Sequence, residues 1–400
     1  MYHIPIILFG LTPLYLVRFG VFGIPTTLFE ALLYIAFFIA SAQASRKGAF
    51  KELFSLPREH MFRAGLLLLV LGVIFSVALN PTLRSLGIIK GWFLDPFLMF
   101  LLIRNAGDNV RRKLFSAYAV SGLCVALIAL GYVFAGSVTY DGRLRAFFES
   151  PNHLAMYLAP AALIMLWRFV VTSSKQKRIL FGMALVSLLA VLYLTGSFGA
   201  WVGVVGALVL GLFVPRLTAK FRVIVIVIVI VGGALTPFLA TRFWPFLQEM
   251  FYVPERSSAS SRMMIWRSAL VIGKDNTVFG IGPGNFQDRY LAEQKNYPPY
   301  LEWAVPQPHN IYLAFWLQTS LLGLVGFLLL LWWFFKQTLD NWTLDLGHLA
   351  FIVILYILLH GAVDTLYWKN DLSVVFWGLL AIASLQSVSH SSMSSGSDKS

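Results

Sequence analysis

Charge is the scarcest ingredient of this 400-residue chain: Asp, Glu, Lys and Arg make up 12% of it, against 58% hydrophobic residues. A soluble globular chain carries roughly 25% charged and 45–50% apolar residues, so too little polar surface is present for a water-soluble fold of this size. Cysteine is almost missing. The one thiol, Cys124, excludes an intramolecular disulfide or a cysteine-based zinc site, and its place inside an apolar run points to packing. The N-terminus has neither a basic leader nor a small-residue cleavage site, so the first hydrophobic segment is expected to remain as an anchor. The hydrophobic runs are continuous and do not alternate, which removes a transmembrane β-barrel. No internal repeat argues for an inverted-repeat transporter.

What the chain does have is apolar runs of about 20 residues from end to end, each long enough for a helix to cross roughly 30 Å of hydrocarbon. Spans are expected at 5–17, 24–43, 62–80, 87–103, 114–136, 151–171, 179–195, 197–214, 222–240, 308–335, 347–363 and 372–388. The stretch Val223–Val231 is rich in β-branched residues, yet in lipid a helix satisfies its own backbone and is the better reading. The fold class is therefore an all-α polytopic membrane protein of about 12 transmembrane helices, with one large extracytoplasmic loop containing short helices. Its parts are about nine N-terminal membrane helices in 1–240, the loop at 241–307, about three C-terminal helices in 308–388, and a disordered serine-rich tail at 389–400.

The formal net charge of +13 invites a nucleic-acid partner, but the placement of the charges argues against one. Arg46, Lys47, Lys51, Arg58 and Arg63 follow the second span, and Arg104, Arg111, Arg112 and Lys113 the fourth. Arg168, Lys175, Lys177 and Arg178 follow the sixth, and Arg216, Lys220 and Arg222 the eighth. Alternate loops are thus basic, which puts them and both termini in the cytoplasm and the long loop outside it.

The long loop carries the chemistry. Ser257, Ser258, Ser260 and Ser261 precede Arg262, Trp266, Ala269, Leu270 and Gly273 at helical spacing, predicting a short amphipathic helix along the membrane surface. Arg262 in its first turn suits a phosphate, since a guanidinium binds two oxygens at once; a snorkelling arginine is the plainer alternative. Gly280, Gly282 and Gly284 around Pro283 read as a tight turn, not a nucleotide loop, because no strand precedes them. Tyr297, Pro298, Pro299, Tyr300 and Trp303 suit the headgroup level, although such rings also stack on sugars. Pro306, Pro308, His309 and Asn310 then open the next span. A histidine there is as a rule a structural hydrogen-bonder, and it is also able to accept a proton near neutral pH. Arg143 and Arg145 precede Pro151, Asn152 and His153, while Arg84 and Lys90 precede the fourth span. Convergence of these bases with Arg262 would make a cationic pocket suited to a lipid-linked diphosphate, although each alone could anchor to headgroups.

These residues resemble the O-antigen ligase and polymerase superfamily of bacterial envelope glycan assembly. The resemblance runs from Arg262 through Ile265, Trp266 and Ala269 to Phe279-Gly280-Ile281-Gly282-Pro283-Gly284-Asn285-Phe286. It continues in Pro308-His309-Asn310-Ile311-Tyr312-Leu313 and Gly323-Leu324-Val325-Gly326. Upstream it includes Gly142-Arg143, Phe148, Pro151-Asn152 and Ala155, then Thr195-Gly196-Ser197 with Gly199-Ala200-Trp201. The resemblance implies a metal-independent, class C glycosyltransferase without cofactor. Its donor would be an undecaprenyl-diphosphate-linked glycan and its acceptor a glycan or lipid, among membrane lipids at the outer face of the cytoplasmic (inner) membrane. By the same resemblance His309 is the general base and Arg262 and Arg143 contact the donor diphosphate; Arg145 is a further donor-binding candidate. Arg84, Lys90, Asn152 and Asn310 are supporting candidates. The chain departs from the family at Phe198, a position often arginine: either another base supplies that contact, Arg145 being the nearest candidate in sequence, or diphosphate handling is altered. The reading from another class is a small-solute or anion transporter, for which Glu30, Asp95 and Asp364 are the acidic residues within or bordering spans.

Overall fold

The computed structural model describes residues 3–21, 24–106, 108–213, 219–227, 258–298, 303–340 and 345–384. The expected tail, the loop residues 241–257, Pro299 and Tyr300, and most of the expected span at 222–240 lie outside these residues.

The first expected span does not form one continuous helix. Helix α1 (Ile4–Gly10) stops after two turns, and a 3₁₀ segment follows at Thr12–Leu16. Pro13 is the reason, because proline lacks the N–H and its ring collides with the preceding turn of an α-helix. A two-stranded antiparallel hairpin, β1 (Arg18–Val21) and β2 (Ile24–Thr27), then adds a strand pair to a fold expected to be all-α. Thr27 closes a capping box with Glu30 that starts α2 (Leu28–Arg46).

Beyond that point the apolar runs become helices. A short α3 (Phe50–Leu53) precedes α4 (His60–Leu79), and α5 (Leu83–Ile89) joins α6 (Asp95–Arg104) through a π turn at Lys90–Leu94. Next come α7 (Asp108–Phe134), α8 (Pro151–Val171), α9 (Lys175–Leu194), α10 (Phe198–Leu212) and α11, described over 219–227. Helices α12 (Ser258–Asp275) and α13 (Phe286–Glu293) come from the expected loop. Finally α14 (Ile311–Asp340), α15 (Asp345–Gly361) and α16 (Asn370–Ala383) complete the bundle. Among the described residues, 7 helices or helix pairs are long and apolar enough to cross a membrane, and α10, α15 and α16 are shorter apolar helices. The protein is thus a mostly helical, polytopic membrane protein. Cys124 lies within α7 as expected, but on an exposed face and not in a packed one.

Helix α8 runs through the middle of the bundle, with Leu154 through Trp167 buried without interruption. Helices α4 and α14 cross at small residues, Gly65 and Gly72 against Gly323 and Gly326, where a Cβ added at Gly65, Gly72 or Gly326 would meet the partner backbone. The expected span at 308–335 carries no proline or glycine at the point where α14 breaks. At Thr319 (φ −124°) and Ser320 (φ 69°) the helix is interrupted, and the turn after α12 fits into the gap. Ile281 N–H donates to Leu317 O (2.6 Å), Leu321 N–H to Val278 O (2.9 Å), and Gly284 N–H to Gln318 Oε1 (3.1 Å). Irregular backbone inside a membrane bundle is tolerated when protein supplies such bonds. Gly280 (φ 66°) lies so near Leu317 O that no side chain fits. Met264, Ile265, Ala269 and Ile272 of α12 pack with Ile281, Phe286, Tyr290, Val305 and Leu317 in a small second core.

Candidate active site

Three loops meet at one end of the bundle: the segment before α8, the segment before α14 and the turn joining α15 to α16. His309 immediately precedes Asn310 and the start of α14, and its backbone is in the left-handed region (φ 46°). A residue with a Cβ pays for that conformation, and such strain gathers at functional sites. Three bonds hold the turn. Asn310 Oδ1 accepts from the backbone N–H groups of Tyr312 and Leu313 (3.0 Å each), and Trp266 Nε1 of α12 donates to His309 O (3.2 Å). Asn310 Nδ2 also donates to Ala362 O (2.9 Å), tying the start of α14 to the α15–α16 turn.

That turn presents Asp364, whose Oδ1 lies 3.0 Å from His309 Nδ1. Asp364 is buried, while the His309 side chain is 33% exposed. Burial alone would raise the Asp364 carboxyl, but His309, then Arg262 and His360, hold it well below the usual carboxylate range. An ionised carboxylate only accepts, so in the neutral imidazole the proton of this bond sits on Nδ1 and Nε2 keeps its lone pair. Nε2 has no hydrogen-bond partner among the described residues.

Two arginines border the carboxylate. Arg262 Nε of α12 donates to Val363 O (2.7 Å), and its Nη2 stands 3.8 Å from Asp364 Oδ2. Arg143 Nε donates to Thr195 O (2.7 Å) and its Nη2 to Asn152 Oδ1 (2.6 Å), while Asn152 Nδ2 reaches Asp364 Oδ2 at 3.4 Å. Gly196 (φ 58°) reverses the chain between α9 and α10, and its missing Cβ leaves the space that the Arg143 side chain fills. Burial lowers the Arg143 guanidinium from its ordinary value, Asp141 and Asp364 oppose this and Arg262 adds to it. An arginine still stays charged at any working pH. The site therefore offers a histidine with an available lone pair beside two half-buried guanidinium groups.

His309, Arg262, Arg143, Asn152 and Asn310 are brought together in this way, with Asp364, which the sequence offers only as an acid within or bordering a span for the transporter reading. Arg145 is exposed and its side chain bonds none of the described residues. Phe198, half-buried, opens α10 three residues beyond the Thr195 carbonyl that receives Arg143. Arg84 and Lys90 are engaged elsewhere. Arg84 Nη1 donates to Gly284 O (2.9 Å) and faces Asp288 (3.6 Å), and Lys90 Nζ binds Glu30 Oε2 (2.9 Å) and Pro25 O (2.7 Å). Asp95 accepts from Tyr34 OH (2.6 Å). Among the described residues no group of three or more His, Cys, Asp or Glu side chains is arranged to hold a metal ion.

An uncharacterized protein of Haemophilus influenzae is 22% identical over 286 residues, which cover 66% of this chain and 70% of that protein. Residues 183–331, the stretch that includes Thr195-Gly196-Ser197, Arg262 and His309, match the O-antigen ligase family. That match covers less than half of the chain and supports its resemblance to the O-antigen ligase and polymerase superfamily.

Proposed function

We propose that the protein transfers a glycan from an undecaprenyl diphosphate carrier to an acceptor hydroxyl at the outer face of the cytoplasmic membrane. The acceptor is lipid A core or a growing surface polysaccharide; a polymerase of the same superfamily would differ only in that acceptor. The site opens outside the cytoplasm, with the loop 241–307 on that side and both termini on the other. One observation supports this reading: His309 Nδ1 lies 3.0 Å from Asp364 Oδ1 while Arg262 stands 3.8 Å from the same carboxylate.

The chemistry follows from that arrangement. The acceptor hydroxyl gives its proton to His309 Nε2 as its oxygen bonds the anomeric carbon, and the bond from that carbon to the diphosphate oxygen breaks. The leaving polyprenyl diphosphate takes the electron pair, and a single displacement inverts the anomeric centre. Asp364 keeps the histidine in the useful tautomer and stabilises the imidazolium that forms. Arg262 and Arg143 neutralise charge growing on the leaving group, where low dielectric strengthens their effect.

The test is purified protein in lipid nanodiscs with a fluorescent undecaprenyl-diphosphate oligosaccharide and either lipid A core or a second carrier-linked unit. The expected result is a new glycosidic bond and release of undecaprenyl diphosphate, with His309→Ala slower by ~10²–10⁴-fold at equal membrane level. Normal transfer by His309→Ala would remove the histidine from this role.

A further inference from the structure

Asn152 and His153 are neighbours at the start of α8, yet they reach opposite ends of one turn. Asn152 meets Asp364 Oδ2 (3.4 Å), near the beginning of the segment that joins α15 to α16. His153 Nε2 meets Asp371 Oδ1 (3.3 Å), in the first turn of α16 at the end of that segment. The second contact is unusual in its burial. His153 and Asp371 both have side-chain exposures of 0%, and Asp371 Oδ2 has no partner among the described residues. A buried carboxylate left short of partners is costly, and this one has His153 and the backbone N–H of Leu372 (3.0 Å) on its other oxygen.

Further contacts lock the same region. Tyr15 OH lies 3.0 Å from His153 Nε2, and Ser150 Oγ caps α8 by accepting from His153 N–H (3.1 Å). Glu149 binds Arg18 of β1 (2.9 Å) and Lys369 (3.0 Å), so the end of the turn is fastened to the α8 entry a second time. The proposed reaction uses none of these groups. Together they fasten the α16 end of the segment that bears Asp364 to the start of α8.

We infer that His153 and Asp371 are positioning residues for the His309–Asp364 pair. Resting on the reaction proposed above, they fix the far end of the 362–371 segment so that Asp364 stays on Nδ1 of His309. Loss of this fastening lets Asp364 withdraw, and His309 then divides between its two neutral tautomers. Only one of these leaves Nε2 able to take the acceptor proton. Donor binding, which depends on Arg143 and Arg262, is spared.

Two readouts separate this from a merely structural role. The chain has 7 histidines, so ¹⁵N-histidine spectra of the full-length protein in nanodiscs are simple, and loss of signals in His309→Gln assigns that ring. In wild type, without substrate, His309 should show the Nδ1-protonated tautomer; in His153→Ala and Asp371→Ala it should show a mixture, and Asp371→Asn should recover most of the wild-type pattern. In the transfer assay kcat should fall roughly tenfold to hundredfold, the scale of a small misplacement at a reacting centre, with donor KM little changed. In an Asp364→Asn background, His153→Ala should cost nothing further, since both act through one group.

Unmoved His309 signals, or losses that simply add to that of Asp364→Asn, would overturn the inference. Should the alanine variants fail to accumulate, Tyr15→Phe removes only the hydroxyl near Nε2, and an unchanged spectrum there would equally refute it. The spectra need no substrate, so a shifted tautomer with no transfer in wild type would sink the reaction and spare the positioning role.

Discussion

Arg262 and His309 share one carboxylate: Arg262 Nη2 stands 3.8 Å from Asp364 Oδ2, and His309 Nδ1 lies 3.0 Å from Oδ1. A base and a cation are thereby held apart on a single anchor, the base oriented by one oxygen and the cation by the other. Asparagine at this position would keep the shape and lose the charge. Asp364→Asn is expected to lower kcat by ~10²–10⁴-fold, as replacements that favour the wrong histidine tautomer do, with donor KM within about twofold. Steady-state transfer rates check this, and a changed KM with unchanged kcat would move Asp364 from the base to donor binding.

Arg262 Nε donates to Val363 O while Nη2 faces Asp364, and lysine does not reproduce that fork geometry. Arg262→Ala should weaken binding of undecaprenyl diphosphate by about tenfold to hundredfold, the scale of one or two charge-assisted hydrogen bonds, and Arg262→Lys should recover part of it. Arg143→Ala should behave similarly. Scintillation proximity binding with the radiolabelled lipid reads both, and wild-type affinity in either alanine variant would argue against a diphosphate contact there.

Glu149 gives a pH signature independent of turnover. Burial by itself would raise its carboxyl, but Lys369 and then His153 and Arg18 bring it from 4.5 to about 2. A folded value below the unfolded one stabilises the fold fully above about pH 4.5, and that contribution disappears as pH falls towards 2. Glu149→Gln should therefore melt below wild type in detergent at pH 7, with the gap closing between pH 4.5 and the lowest pH at which both variants remain folded. A gap constant across that range would mean that the charge contributes nothing.

Gly280 is the position where backbone approach leaves no room. Its φ of 66° and its contact with Leu317 O both penalise a side chain, so Gly280→Ala should destabilise by ~1–3 kcal/mol or more. Gly131, inside α7 with nothing within 4 Å of an added Cβ, is the control. Gly131→Ala should stay within about 1 kcal/mol of wild type, the size of the helix-propensity difference. Thermal unfolding of both variants in one detergent decides it.

Much of the helical layout was legible because an apolar run of span length has few alternatives in lipid. Helix α8 falls at the residues its run predicts, and α4 and α9 differ only at their ends. The segment 5–17 misled because its hydrophobicity is continuous while its backbone is not: Pro13 ends the helical path that composition suggests. The break in α14 was invisible for the opposite reason. Thr319 and Ser320 carry no breaker, and the interruption depends on a partner loop about 36–43 residues upstream supplying bonds at Leu317 and Leu321. The candidate site divides in the same manner. His309, Arg262 and Arg143 stand out by residue type in loops, whereas pairing Asp364 with His309 requires a contact across 55 residues. Arg84 and Lys90 looked equivalent to them by charge, and only their bonds to Gly284 and Glu30 set them apart.

Since α14 begins afresh after Ser320, it is two rods joined end to end, and only the second must match bilayer thickness. About 20 residues follow the break, about 30 Å of helix, which is one hydrocarbon thickness. A thinner or thicker bilayer would be met by tilting that rod about the joint, because a helix answers mismatch by changing its inclination. The first rod, with His309 at its head and the glycine turn bonded to its foot, would keep its bearing. The same protein would then work across membranes of differing lipid composition with little change in rate.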